Sequence, residues 1–157
     1  MSTIKKLTLT LLGLALLAPV IAADNDPVEK AIKARQAAMV LRSWNAGPLF
    51  GMAKGKIEYD AELAVALANN LKVEAHMSNN TMWPGGSDNV AYEGKTRTLP
   101  ETWSTWPAVG EAGQAYKDAT IALAEVAGNG LEALRSKIGD LGNGCKGCHD
   151  DFRADDM

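Results

Sequence analysis

Apolar positions recur mainly at spacings of three and four along residues 26–153, the period that places side chains on one face of an amphipathic helix. Alanine and leucine are abundant and β-branched runs are few, which favours helices. The first helix starts at Asp26-Pro27-Val28-Glu29: Asp26 caps, Pro27 suits the first helical position, and Glu29 is placed for a capping box. Val28, Ile32, Arg35 and Met39 then form an inward seam with one charged residue in it, continued by Ala46, Leu49 and Ala53. Gly47-Pro48 is expected to kink or break this helix near its middle, and the helix to end near Lys54-Gly55.

A second helix follows Asp60 as cap, stacking Leu63, Leu67 and Leu71 beside Ala64, Ala68 and Ala75, and stops near Met77-Ser78-Asn79. Residues 79–106 are a long connection containing Trp83-Pro84-Gly85-Gly86-Ser87 and Leu99-Pro100-Glu101-Thr102-Trp103, whose aromatics are expected to cover an apolar surface. Trp103 and Trp106 fit a short helical turn. The third helix covers 107–127, with Val109, Ala112, Tyr116, Ala119, Leu123 and Val126 inward and Gly128 ending it. In the fourth, Leu131, Leu134, Ile138, Leu141, Cys145, Cys148 and Phe152 make a sustained heptad stripe. Four such helices predict an all-α, antiparallel four-helix bundle, with the long connection crossing along one side.

The start of the chain stands apart from this pattern. Lys5 and Lys6 precede an apolar run, Leu7 to Leu17, too short to span a bilayer comfortably, and small residues follow at Val20-Ile21-Ala22 or at Ala23. Residues 1–22 therefore read as a cleaved export signal and 23–157 as one bundle domain, with an uncleaved membrane anchor as the alternative. Net charge is −3 for the whole chain and −5 once Lys5 and Lys6 are removed. That balance argues against nucleic acid and anionic membrane as partners and is compatible with a basic redox partner.

Chemistry concentrates at Cys145-Lys146-Gly147-Cys148-His149, the attachment signature of c-type haem. Two thiols three residues apart reach the two vinyl groups on one edge of a porphyrin, and the next residue, His149, can bind iron on the proximal side. A dithiol redox pair or half a zinc site are the alternatives. Zinc would need two more ligands, and His76 is the sole other histidine; a redox pair would need a βαβ context. Export supports haem, because this attachment is completed outside the bacterial cytoplasm. The heptad stripe places both cysteines inward, so covalent haem lies in the bundle core near the C-terminal helix. Gly139, Gly142, Gly144 and Gly147 read in part as room for a flat macrocycle, with fraying as the alternative.

Ala34-Arg35-Gln36-Ala37-Ala38-Met39, Trp83-Pro84-Gly85-Gly86-Ser87, Pro100-Glu101-Thr102-Trp103 and the run from Cys145 to Arg153 give the chain its resemblance to class II c-type cytochromes, the cytochrome c prime family. The resemblance implies that Cys145 and Cys148 carry haem c and that His149 is the proximal ligand. It also implies that Arg153 lies close to the proximal imidazole, and Arg35 and Gln36 near the haem propionates and edge. Pairing with a carboxylate would explain a charged residue in the seam; an arginine snorkelling at the bundle surface is the other reading of Arg35. Arg97 or Thr98 could also reach a propionate.

Met39, one turn beyond Arg35, should face the distal side of the haem. If its sulfur binds iron, the centre is six-coordinate, low-spin and suited to electron transfer. If it is held away, the iron is five-coordinate and high-spin, and NO or CO can bind. The expectation is a periplasmic electron-transfer protein of the five-coordinate kind; the alternatives are the six-coordinate carrier with Met39 as sixth ligand and an NO-sequestering or sensing protein. Met52, Met77, Met82 and His76 are weaker distal candidates. Apart from His76, no distal acid–base residue stands on the haem-facing stripe, which argues against an enzyme. The family resemblance implies homodimers through the first two helices, with Trp44 or Phe50 as contacts or as core residues.

Overall fold

Four long helices carry most of the described residues, 26–155, of the protein in this computed structural model. They are α1 (Pro27–Ala53), α2 (Ala61–Ala75), α4 (Ala108–Val126) and α5 (Leu131–Phe152). Between α2 and α4 lie a 3-10 turn, Asn80–Met82, and a single helical turn, α3 (Glu101–Ser104). The expected export signal at 1–22 lies outside the described residues. No described helix is long and apolar enough to cross a membrane.

Side-chain caps start two of the helices. Asp26 accepts from the Val28 N–H at 2.8 Å, and Asp60 accepts from the Leu63 N–H at 3.0 Å. Glu29, also expected to cap, pairs with the Lys95 ammonium of the connection and is buried there. The break expected at Gly47-Pro48 does not occur, since Pro48 lies inside α1. Leu49 and Met52, just beyond it, are fully buried. Burying two such side chains is worth about 1.5–3 kcal/mol each, which together offsets the roughly 3 kcal/mol that an interior proline costs.

The buried seam of α1 differs in detail from the expected one. Its buried residues are Glu29, Ile32, Arg35, Asn45, Leu49 and Met52, whereas Val28, Met39, Ala46 and Ala53 are half-buried. On α2 the stripe is Ala64, Leu67, Ala68, Leu71 and Ala75; Leu63 is 43% exposed and stands outside it. Helix α2 ends at Ala75, before Met77.

Each long helix packs on the next in the ring α1–α2–α4–α5, which closes through α5 on α1. The Tyr59 hydroxyl donates to the Ala127 carbonyl at 2.8 Å and accepts from the Gly130 N–H at 3.0 Å. It thereby joins the α1–α2 turn to the α4–α5 turn, so both short turns share one end and the helices alternate in direction. Gly130 shapes the second turn with φ of 107°, a value open to glycine and strained for other residues. The 76–107 connection crosses the opposite end, where α1 begins and α5 finishes. Tyr92 donates to Asp26, Leu99 N–H donates to the Phe152 carbonyl, and Thr98 and Arg153 form an antiparallel bridge.

Helices α4 and α5 approach closely at Gly144. A methyl group there would lie 2.9 Å from the Tyr116 Cα. This glycine therefore makes room for the backbone of α4, whereas Gly139 and Gly147 have open space at the same position.

Candidate functional site

The last turns of α5 carry Cys145, Cys148 and His149, all half-buried, with both cysteines free. Burial pushes both thiols above their ordinary value, against the pull of the Arg42 cation. Burial also lowers the pKa of His149, helped by the charges of Arg153, Arg97 and Arg42. The imidazole is thus kept neutral, with a lone pair available to a metal. Two protonated thiols and a neutral imidazole on adjoining helical positions fit haem c as a donor set. Among the described residues no group of three or more His, Cys, Asp and Glu is placed to hold a metal ion by itself.

Arg35 is 3% exposed and is turned toward the crossover. Its Nη1 donates to Ser87 Oγ at 2.6 Å and to the Met82 carbonyl at 3.3 Å, and its Nη2 donates to the Ser87 carbonyl and to Thr96 Oγ1. The guanidinium also lies 4.8 Å from the Trp83 ring centroid. Both Nη nitrogens are therefore engaged by the protein itself. Gln36 is tied to the same segment, donating to the Lys95 carbonyl at 2.8 Å. The structure thus brings Arg35 and Gln36 together at the crossover, while the α1 charge that acts on both cysteines comes from a different part of that helix.

That part is Arg42, a residue that the predicted seam omits between Met39 and Ala46. Its Nε donates to Glu74 at 2.7 Å, its Nη1 approaches the Met39 sulfur at 3.6 Å, and its guanidinium covers Tyr116 at 4.7 Å. Burial opposes the charge on Arg42, but the hydrogen bond and charge of Glu74 outweigh it and raise the pKa. Tyr116 is pushed up chiefly by burial, with Arg42 opposing. A signal is present in the chain: Arg42 follows Arg35 by seven residues and Met39 by three, on the same face.

The remaining candidates separate by burial. Met39 is half-buried, Met52 is fully buried in the apolar core, and Met77 is exposed. Met82 is half-buried in the 3-10 turn. His76 is exposed at the end of α2, with Nδ1 2.7 Å from the Lys72 carbonyl. Thr98 pairs with Arg153 in the bridge, so the crossover runs beside the end of the motif helix. Of the two aromatic residues considered for a subunit contact, Phe50 packs on the core and Trp44 is 75% exposed.

The family model described as cytochrome c' matches residues 30–153. A cytochrome c' of Halomonas halodenitrificans is 37% identical over 129 residues, covering 81% of this chain and 98% of its own length. A solved cytochrome c' described as having ligand-controlled dimer dissociation superposes with a TM-score of 0.75 at 32% identity, covering 85% of this chain and all of its own. A ferrous variant of cytochrome c prime from Alcaligenes xylosoxidans with bound NO superposes at 0.71 and 29% identity, covering 82% of this chain and 97% of its own.

Proposed function

The chain belongs to the cytochrome c' family, with haem c as its covalent cofactor, and we propose that it is an exported, periplasmic electron-transfer protein whose iron keeps its sixth position open to NO or CO. Residues 1–22 would be removed on export. Cys145 and Cys148 would hold the cofactor and His149 would be its proximal ligand, while Arg153 and Arg97 set their charges close to that imidazole. Haem supplies one-electron redox chemistry and a site for a small ligand. The role is carriage of electrons and binding of gas, not catalysis.

One observation carries the open sixth position: Met39 is half-buried on α1 and its sulfur is met by Arg42 Nη1 at 3.6 Å. A relative with NO bound supports the same reading. Absorption spectra of the ferric and ferrous protein, before and after CO or NO, test it. A high-spin spectrum that changes with gas is expected, and Met39→Leu should leave it nearly unaltered. A low-spin spectrum indifferent to both gases, converted to high-spin by Met39→Leu, would establish Met39 as the sixth ligand instead.

Association into a homodimer through α1 and α2 is part of the proposal. Val40, Leu41 and Trp44 on α1, with Val73 and Met77 near the end of α2, are large apolar side chains left exposed on two helices that pack together. A solved relative described by its dimer dissociation supports this.

A further inference from the structure

Charge is divided unevenly between the two halves of the helix ring. Helices α4 and α5 together carry seven acidic and four basic residues, whereas α1 and α2 carry three acidic and five basic. The acidic half is also the half that bears Cys145, Cys148 and His149. Between α4 and α5 runs an open groove of about 410 Å³, lined by Ala115, Ala119 and Ala122 of the one helix and Gly144 of the other, with one carboxylate from each, Asp118 and Asp140. Both aspartates are exposed. Gln114 donates to Asp118 at 2.8 Å and Lys137 stands 3.9 Å from Asp140, but neither of these side chains lines the groove. Gly144 packs against the backbone of Ala115 and Tyr116 and directly precedes Cys145, so that end of the groove adjoins a residue that would hold the cofactor. The exposed apolar side chains proposed as a subunit contact lie on α1 and α2, the opposite pair, and leave the groove open in such a dimer.

Resting on the electron-transfer reading, we propose that this groove is where a basic redox protein docks, seating a lysine or arginine side chain between Asp118 and Asp140. The apolar stem of that side chain lies over the alanines, and its cationic head meets the two carboxylates. The uneven charge turns a basic partner toward this half before contact, an attraction that salt screens beyond about 10 Å. One electron then passes from ferrous haem to the ferric iron of the partner, leaving the first ferric and the second ferrous, with no bond made or broken.

The probe is a basic cytochrome c. Its ferric form is mixed with the ferrous holoprotein in stopped flow, and its binding to the ferric holoprotein is followed by calorimetry, each at low and at high salt. Wild type reacts faster and binds more tightly at low salt. In Asp118→Asn/Asp140→Asn the low-salt rate and affinity fall about fivefold or more, and the gap from wild type closes at high salt. Ala115→Trp, at an exposed position, lowers both at either salt, because bulk in the groove is not screened. Glu58→Gln/Glu62→Gln removes the same charge at the other end of the bundle and stays within about twofold of wild type. Thermal melting of each variant separates these effects from misfolding. Values within about twofold of wild type in both groove variants overturn the inference, as does an equal loss in Glu58→Gln/Glu62→Gln. A wild type that ferricyanide oxidises but cytochrome c neither binds nor oxidises overturns it too. A haem that neither oxidant can oxidise overturns the electron-transfer reading instead. Sedimentation reads the other occupant, a second copy of this chain: a dimer broken by Ala115→Trp and left whole by Trp44→Glu makes the groove a subunit contact and overturns the docking site.

Discussion

Arg35 on α1 grips Ser87 of the crossover twice, donating to its hydroxyl at 2.6 Å and also to its carbonyl. A charge inside an apolar seam is costly unless its donors are satisfied, and here Thr96 and the Met82 carbonyl take the other two Nη donations. The crossover, which has little regular structure of its own, is folded around this one side chain.

Arg35→Leu should therefore cost about 3 kcal/mol of stability, because it strands several buried acceptors. Arg35→Lys should recover less than half of that, since an ammonium cannot fork as a guanidinium does. Urea midpoints of the holoprotein measure both.

Two glycines of α5 should respond to alanine with opposite signs. Gly144→Ala drives a methyl group to 2.9 Å from the Tyr116 Cα, and backbone cannot turn aside. The expected loss is about 1–3 kcal/mol. Gly139→Ala meets nothing within 4 Å and should gain about 0.5–1 kcal/mol from helix propensity. Thermal melts of the pair decide it.

Acid should loosen the crossover through Asp88. Its carboxylate accepts the Ala91 and Val90 N–H groups, each at 2.9 Å, and these bonds hold its pKa below the ordinary 3.8. A carboxyl group lowered by folding stabilises above its unfolded value, and the contribution disappears as pH falls through the lower folded value. Below pH 3.8 the wild type should thus lose stability more steeply than Asp88→Asn. Urea midpoints measured on both sides of that value show the difference.

Trp44→Glu should leave a monomer where the wild type sediments as a dimer. Trp44 is 75% exposed, and a carboxylate in its place would be desolvated in the contact. Sedimentation at micromolar concentration reads the outcome, and absorption spectra should stay the same.

What is legible in the chain follows from local rules. The caps at Asp26 and Asp60, the inward stripe of α5 and the haem signature depend on residues within a turn or two of one another. Arg35 stands out as an anomaly, but its partners lie 52 and 61 residues away in a segment without periodicity, so no spacing rule can supply them. Pro48 departs from expectation because the local rule for proline omits the core burial of Leu49 and Met52. Arg42 escapes the pattern for a related reason: Glu74 and Tyr116 come from two other helices, and the cluster exists only once all three are packed.

The crossover is fastened to α1 by Arg35 at Ser87, and to the end of α5 by Thr98 at Arg153 and by Leu99 at Phe152. The short run of chain between those two anchorages works as a caliper. It spans from the helix that carries Met39 to the helix that carries His149, and its length is covalent. The separation of those two helices at this end is therefore limited from outside, by the reach of that strap.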